Sequence, residues 1–169
     1  MEETVRIAGI IRESVVDGNG IRFVVFTQGC PHHCPGCHNP QSHDPNGGYD
    51  CKIGKIMEEI KKDPLLSGVT FSGGEPFEQP KPLLELAKQI RGMGLNLVIY
   101  TGYLVENLLK QGERKPEILE LMSLADIIVD GPFLLEERDL NLKFRGSRNQ
   151  RVIDGIKTVQ QKKIIETEF

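Results

Sequence analysis

The chain of 169 residues has no tryptophan, only four cysteines, no large excess of one charge sign and no long apolar run, and each shortage closes off a class of protein. A small scaffold stapled by disulfides is excluded by length as much as by cysteine count, because a chain of this size buries roughly two-thirds of the surface that its unfolded form exposes. No apolar run approaches the roughly 20 residues of a membrane-crossing helix. The opening stretch MEETVRIAGIIRESVVDG carries Glu2, Glu3 and Glu13 where a secretory signal would be basic and then apolar. A net charge of -3 offers no electrostatic footprint for nucleic acid or an anionic membrane. With 38% hydrophobic and 27% charged residues, and no repeat, linker or low-complexity stretch, the sequence reads as one domain over residues 1–169, cytoplasmic, without nucleic-acid or membrane partners.

What is there is concentrated. Three of the four cysteines stand in QGCPHHCPGCHNP, Gln28 to Pro40, as Cys30, Cys34 and Cys37. In a reducing compartment this spacing points to metal or redox chemistry. A structural zinc site takes four ligands, and His32, His33, His38 or the distant Cys51 could complete one. A cubane iron–sulfur cluster takes one ligand per iron, so three thiolates would leave one iron open to an exogenous group. Pro31, Pro35 and Gly36 restrict or free the loop backbone so that three sulfurs can point inward. Spacing alone leaves zinc and iron–sulfur both open.

The rest of the chain alternates strands and helices. VRIAGIIRES, GIRFVVFTQG, GVTFSGG, LNLVIYTG, DIIVDGPF and QRVIDG read as strands, the last before a polar tail. IGKIMEEIKKD, PLLELAKQIRGMG and the stretch around PEILELMSLA carry apolar residues at helical spacing, and HDPNGGYD reads as a loop. This order predicts an α/β fold with a parallel sheet. The cysteine loop, SGGEP, YTGY and VDGPF each follow a predicted strand directly, where parallel α/β folds gather their ligand sites.

VDGNGIRFVVFTQGCPHHCPGCHNP followed by FSGGEP resembles the radical S-adenosylmethionine superfamily, and within it the branch that activates glycyl-radical enzymes; the likeness spans about residues 5–155. The resemblance implies a partial, open (β/α) barrel and a radical-generating oxidoreductase. It implies one 4Fe-4S cluster on Cys30, Cys34 and Cys37, with S-adenosylmethionine chelating the open iron and yielding a 5′-deoxyadenosyl radical on one-electron reduction. Gly36 and His38 flank the third ligand, Cys37, where the family's backbone meets the adenine. The family usually carries an aromatic residue where Gly36 stands, a departure that bears on stacking there and not on the cluster. Gly73 and Gly74, lacking side chains, let a ligand approach the strand end, and the Glu75 region offers acceptors for the methionine ammonium. Asp130 in VDGPF is a candidate for ribose, the methionine end or a cation, with a helix cap or turn as its plain alternative.

His32 and His33 read as solvated loop side chains, and Cys51 needs no function. RGSRNQR, Arg145 to Arg151, reads either as a solvated basic loop or as a contact surface for a partner or the cofactor carboxylate. No protein side chain is singled out as an acid–base catalyst. Length and the single spare cysteine most resemble the activators of anaerobic ribonucleoside-triphosphate reductase. That likeness implies the large reductase subunit as partner and a reducing electron donor such as flavodoxin. The alternatives are an activator of another glycyl-radical enzyme, a small radical enzyme on a small molecule of the 7-carboxy-7-deazaguanine synthase kind, and, outside enzymes, a zinc-stabilised interaction module.

Overall fold

The computed structural model describes residues 3–169. Seven strands form one sheet: β1 Thr4–Ser14, β2 Arg22–Thr27, β3 Tyr49–Lys52, β4 Gly68–Gly73, β5 Asn96–Tyr100, β6 Ile127–Asp130 and β7 Arg151–Ile153. Five helices connect or follow them: α1 Ile53–Lys61, α2 Pro80–Gly92, α3 Val105–Gln111, α4 Pro116–Met122 and α5 Gly155–Gln161. The strand order is β3-β1-β2-β4-β5-β6-β7, so the sheet is open, with β3 and β7 at its two ends. The four strands β2, β4, β5 and β6 run parallel, in register Thr27↔Gly73, Phe71↔Ile99 and Tyr100↔Val129 at their C-terminal ends.

Alternation along each strand divides the sheet into two faces with different jobs. Phe23 and Val25, Val69 and Phe71, Leu97 and Ile99, and Ile128 face one side and pack on the apolar stripes of the helices. Those stripes are Ile53, Ile56, Met57 and Ile60 on α1, Leu83, Leu86, Ala87 and Ile90 on α2, and Leu121 and Met122 on α4. Phe26, Ser72 and Tyr100 fall on the opposite parity and line a cavity. The fold is therefore an open, partial β/α barrel with its helices outside. At the other end of the inner face lies Arg22, only 1% exposed. It donates to Thr70 Oγ1 at 2.8 Å, Val69 O at 2.9 Å and Asn96 Oδ1 at 2.8 Å. Burial pulls its pKa down to about 10.

The sheet departs from the parallel expectation at both ends, where β1, β3 and β7 pair antiparallel to their neighbours. β3 takes in Tyr49 and Asp50, the last two residues of the stretch read as a loop. Its four residues are nearly all exposed and have no apolar alternation; pairing with β1, not intrinsic pattern, makes them a strand. α3 and α5 lie outside the helices the sequence pattern indicates: α3 buries only Val105 and Leu108 and α5 only Gly155 and Thr158, whereas the equally short α4 shows itself through Ile118, Leu121 and Met122. α5 occupies the start of the supposed polar tail and is capped by Asp154, whose carboxylate accepts from Lys157 N at 2.8 Å. Among the described residues no helix is long and apolar enough to cross a membrane.

Candidate functional site

The cysteine loop leaves the C-terminal end of β2, and its base is fastened by backbone. Gly29 N donates to Ser42 O at 2.7 Å and Cys30 N to His43 O at 3.1 Å, closing the loop on itself. Gln28, 4% exposed, adds a side-chain staple through Nε2 to Gln41 O at 3.0 Å and Asp44 O at 2.7 Å. From the next strand, Gly74 N donates to Thr27 O and Glu75 N to Gly29 O, both at 2.8 Å. This contact explains both glycines differently from the sequence reading. Gly73 has φ +92°, and a Cβ on it would lie 2.7 Å from Thr27 N. A Cβ on Gly74 would lie 2.4 Å from Gly29 O. The space they leave is filled by the chain's own loop base.

Glu75 has no exposed surface, and its carboxylate is fully subscribed. Oε1 accepts from His32 Nε2 at 2.6 Å, Thr101 Oγ1 at 2.9 Å and Gly102 N at 2.8 Å. Oε2 accepts from Phe77 N at 3.1 Å and lies 2.8 Å from Thr101 Oγ1. His32 is thus not a solvated loop side chain: it reaches inward, 15% exposed, with its ring edge-on to Tyr103 at 4.5 Å between centroids. The hydroxyl of Tyr103 is in turn bonded to Glu78, and burial first, then that carboxylate, pushes its pKa up. His33 stays exposed, its ring against His43 at 4.9 Å. The sequence offered a signal for this hub in YTGY after a strand, but nothing that linked it to His32.

A cavity of about 630 Å³ opens beside the loop, in the size range of small-molecule sites. Its walls come from Cys37, His38 and Asn39 of the loop, Phe26, Ser72 and Tyr100 of the inner sheet face, Phe133 after β6, and residues 142–146. Val15, Val16 and Asp17 close the remaining side, and both valines are largely exposed, at 67% and 71%. Tyr100 OH donates to Phe144 O at 2.6 Å and ties the 142–146 segment across the inner face. Gly36 has φ +76°, and a Cβ there would come within 3.0 Å of Leu135 and 3.4 Å of Phe133; the loop turns at a place where no aromatic residue fits. An aromatic ring stands nearby instead in Phe133, which lines the cavity and lies tilted against His38 at 5.3 Å.

Asp130 does not reach the cavity. Buried completely, it accepts from Val105 N at 2.9 Å, capping α3, and from Arg151 Nε at 3.0 Å and Nη2 at 2.6 Å. Arg151 also holds Glu106, whose pKa is lowered by that bond. Of the three arginines in RGSRNQR, Arg151 is spent on these pairs, Arg145 lines the cavity with its Nη1 on Gln150 O at 2.7 Å, and Arg148 alone is exposed.

Cys30, Cys34 and Cys37 are free thiols, each partly exposed along one loop. Among the described residues no three His, Cys, Asp or Glu side chains are gathered around one point closely enough to hold a single metal ion. A cubane asks for something else, one thiolate on each of three irons. The donors fit that demand. Asn39 N donates to Cys37 Sγ at 3.4 Å, and the backbone N–H groups of His32 and His33 face the Cys30 sulfur, the kind of N–H···S contact that stabilises a ligating thiolate. Burial nevertheless pushes the Cys30 thiol up, with Glu75 and Cys34 adding to it, so iron binding there displaces a proton. Cys51 sits on β3, paired to Val5 and away from this loop.

The family described as a 4Fe-4S single cluster domain matches residues 16–153. The chain belongs to that family, and within it to the radical S-adenosylmethionine activating enzymes. It is similar to the anaerobic ribonucleoside-triphosphate reductase-activating protein of Escherichia coli K12, 32% identical over 148 residues that cover 82% of this chain and 91% of that protein. The protein of the same name from Haemophilus influenzae is 30% identical over 144 residues, 80% of this chain and 89% of that one. The pyruvate formate-lyase-activating enzyme of Clostridium pasteurianum is 38% identical over 104 residues, but these cover 58% of this chain and 44% of that enzyme. Among solved structures, QueE from Escherichia coli aligns at a TM-score of 0.47 and 17% identity, over 59% of this chain and 52% of that one.

Proposed function

We propose that this chain installs a glycyl radical on anaerobic ribonucleoside-triphosphate reductase, with a 4Fe-4S cluster on Cys30, Cys34 and Cys37 and S-adenosylmethionine in the adjoining cavity. The observation that carries the choice of target is the extent of the likeness within this chain: the match to the Escherichia coli reductase activator covers 82% of it, against 58% for the pyruvate formate-lyase activator. When bound, the cluster and cofactor supply one-electron cleavage of the sulfonium and a 5′-deoxyadenosyl radical that removes hydrogen from a glycine of the large reductase subunit.

The chain's own residues hold, shape and shield. Cys37, His38 and the backbone at Gly36 border the cofactor directly. Gly73, Gly74 and Glu75 act by fixing the loop that carries the ligands, and Asp130 by fixing the wall through Arg151 and α3. Tyr100 and Phe133 give the cavity an apolar, water-poor lining that protects a reactive carbon radical. Val15 and Val16 lie at its rim, where an extended glycine segment of the partner enters between residues 15–17 and 142–146. In this reading the protein works in the cytoplasm as a single domain and takes its electron from a low-potential donor such as flavodoxin.

The test is transfer of the label. Reductase deuterated at its target glycine, mixed with reconstituted activator, S-adenosylmethionine and reductant, is expected to give a glycyl-radical signal in electron paramagnetic resonance and deuterium in 5′-deoxyadenosine. If deuterium never arrives, or the signal forms only with pyruvate formate-lyase, the target is wrong.

A further inference from the structure

We infer that His32 is a latch that positions the cysteine loop, locking it to the ends of β4 and β5 through the buried carboxylate of Glu75. The inference rests on the reading of Cys30, Cys34 and Cys37 as the cluster ligands and adds to it a residue that sets where they stand.

The cysteine loop is pinned at its base by Gln28, Gly29 and Cys30. Beyond Cys30, His32 is the side chain that ties it to the sheet. Its Nε2 donates to Glu75 Oε1 at 2.6 Å, a short bond to a carboxylate that has no exposed surface of its own. Glu75 is immobile because four further contacts, from Thr101, Gly102 and Phe77, hold both its oxygens. The receiving slot is shaped for the ring: a Cβ on Gly102 would lie 2.5 Å from His32 Cδ2, and Tyr103 closes the other side edge-on. His33, the next residue, has φ +48°, in the left-handed region that few non-glycine residues occupy but histidine enters more readily than most. That turn sends His32 inward while His33 stays outside, midway between the first and second cysteines. A side chain with this anchorage sets the position of Cys30 relative to Cys34, so it acts through them and is a positioning residue.

The experiment uses amide hydrogen exchange on the metal-free protein, which needs neither cluster nor partner. His32→Ala is expected to speed exchange at the partnered amides of residues 31–38, those of His32, His33 and Cys37, by about ten- to a hundredfold, the worth of one hydrogen bond to a charged group. His32→Gln, whose Nε2 reaches the same point, is expected to restore slow exchange, and His32→Asn, which reaches less far, is not. Gly102→Ala attacks the same contact from the opposite side and should reproduce His32→Ala. The double variant should be no worse than either alone, because both remove one interaction. After reconstitution, the same variants should lose iron to a chelator faster in the same order and broaden the cluster's resonance signal.

Exchange in α2 residues 80–92 serves as the internal control for global unfolding; should His32→Ala unfold, Gly102→Ala decides. Wild-type exchange across 31–38 in Gly102→Ala, equal impairment of His32→Gln and His32→Ala, or additive effects in the double variant would each overturn the latch. The reading it rests on fails separately, if Cys34→Ala keeps its full iron content.

Discussion

Replacing Gly74 by alanine adds one methyl group at the point where the β4 turn meets the base of the cysteine loop. That methyl would lie 2.4 Å from Gly29 O and 2.9 Å from both Gly29 C and Ser42 O, where ordinary contact begins at 3.4 Å. All three are backbone atoms, so no rotamer change relieves the overlap, and the loop base must retreat by about 1 Å. Retreat weakens the Glu75 N to Gly29 O and Gly29 N to Ser42 O bonds. At about 1 kcal/mol for each bond and 1–3 kcal/mol for the overpacking, the cost is about 3–5 kcal/mol. For a chain of this size that lowers the melting temperature by roughly 6–20 °C. Gly92 is the control: it ends α2, and a methyl group added there would meet nothing within 4 Å, so alanine should be neutral or stabilise by about 0.5–1 kcal/mol. Thermal and denaturant unfolding of both variants, with iron content after reconstitution, is the assay. Gly74→Ala should lose stability and cluster together. A Gly74→Ala protein that melts with the wild type would refute the close-approach argument, and one that keeps its cluster but no longer binds S-adenosylmethionine would return the glycine to a ligand-facing role.

Cys34→Ala should abolish the cluster and Cys51→Ala should leave it intact, read as iron and sulfide per chain; loss of the cluster in Cys51→Ala would make it a fourth ligand and close the open iron. Arg151→Ala leaves the buried Asp130 carboxylate without its cation and should cost about 3–5 kcal/mol in denaturant unfolding, whereas Arg148→Ala, on the exposed side of the same segment, should stay within about 0.5 kcal/mol. If Arg148 touches the reductase, its alanine variant lowers the yield of glycyl radical with cluster content unchanged. Tyr100→Phe removes the bond to Phe144 O and should loosen residues 142–146, seen as faster amide exchange there with α2 unaffected.

The parts of the fold with a strong period were legible from residues alone. β2, β4 and β5 have β-branched or aromatic cores bounded by glycine or followed by it, and α1 and α2 carry apolar stripes over nine and thirteen residues. β3 was not legible, because a strand made by pairing with β1 leaves no alternation in its own four residues. The site was legible by composition at Cys30, Cys34 and Cys37, and by position at Gly73, Gly74, Glu75 and Asp130. What each of the latter does was not, since a buried carboxylate and a ligand-binding one look alike until their partners are known. Asp130 finds Arg151, 21 residues away, and Glu75 finds His32 at 43, separations that a local pattern cannot carry.

The division of labour at the strand ends follows from the two-residue period of the sheet. Tyr100 and Thr101 are neighbours in sequence, yet Tyr100 faces the cavity and Thr101 turns the other way, 5% exposed, to bond Glu75. On β4 the inward residue is Ser72, and the glycines just after it meet the loop base. A strand that must both line a cavity and grip a loop can do so only with adjacent residues of opposite parity. Slipping the register of β5 by one residue would therefore exchange Tyr100 with Thr101, remove the Glu75 anchor and the cavity wall together, and expose Ile99 on the inner face. The cysteine loop and the cavity therefore depend on one register, through the anchor at Thr101 and the wall at Tyr100.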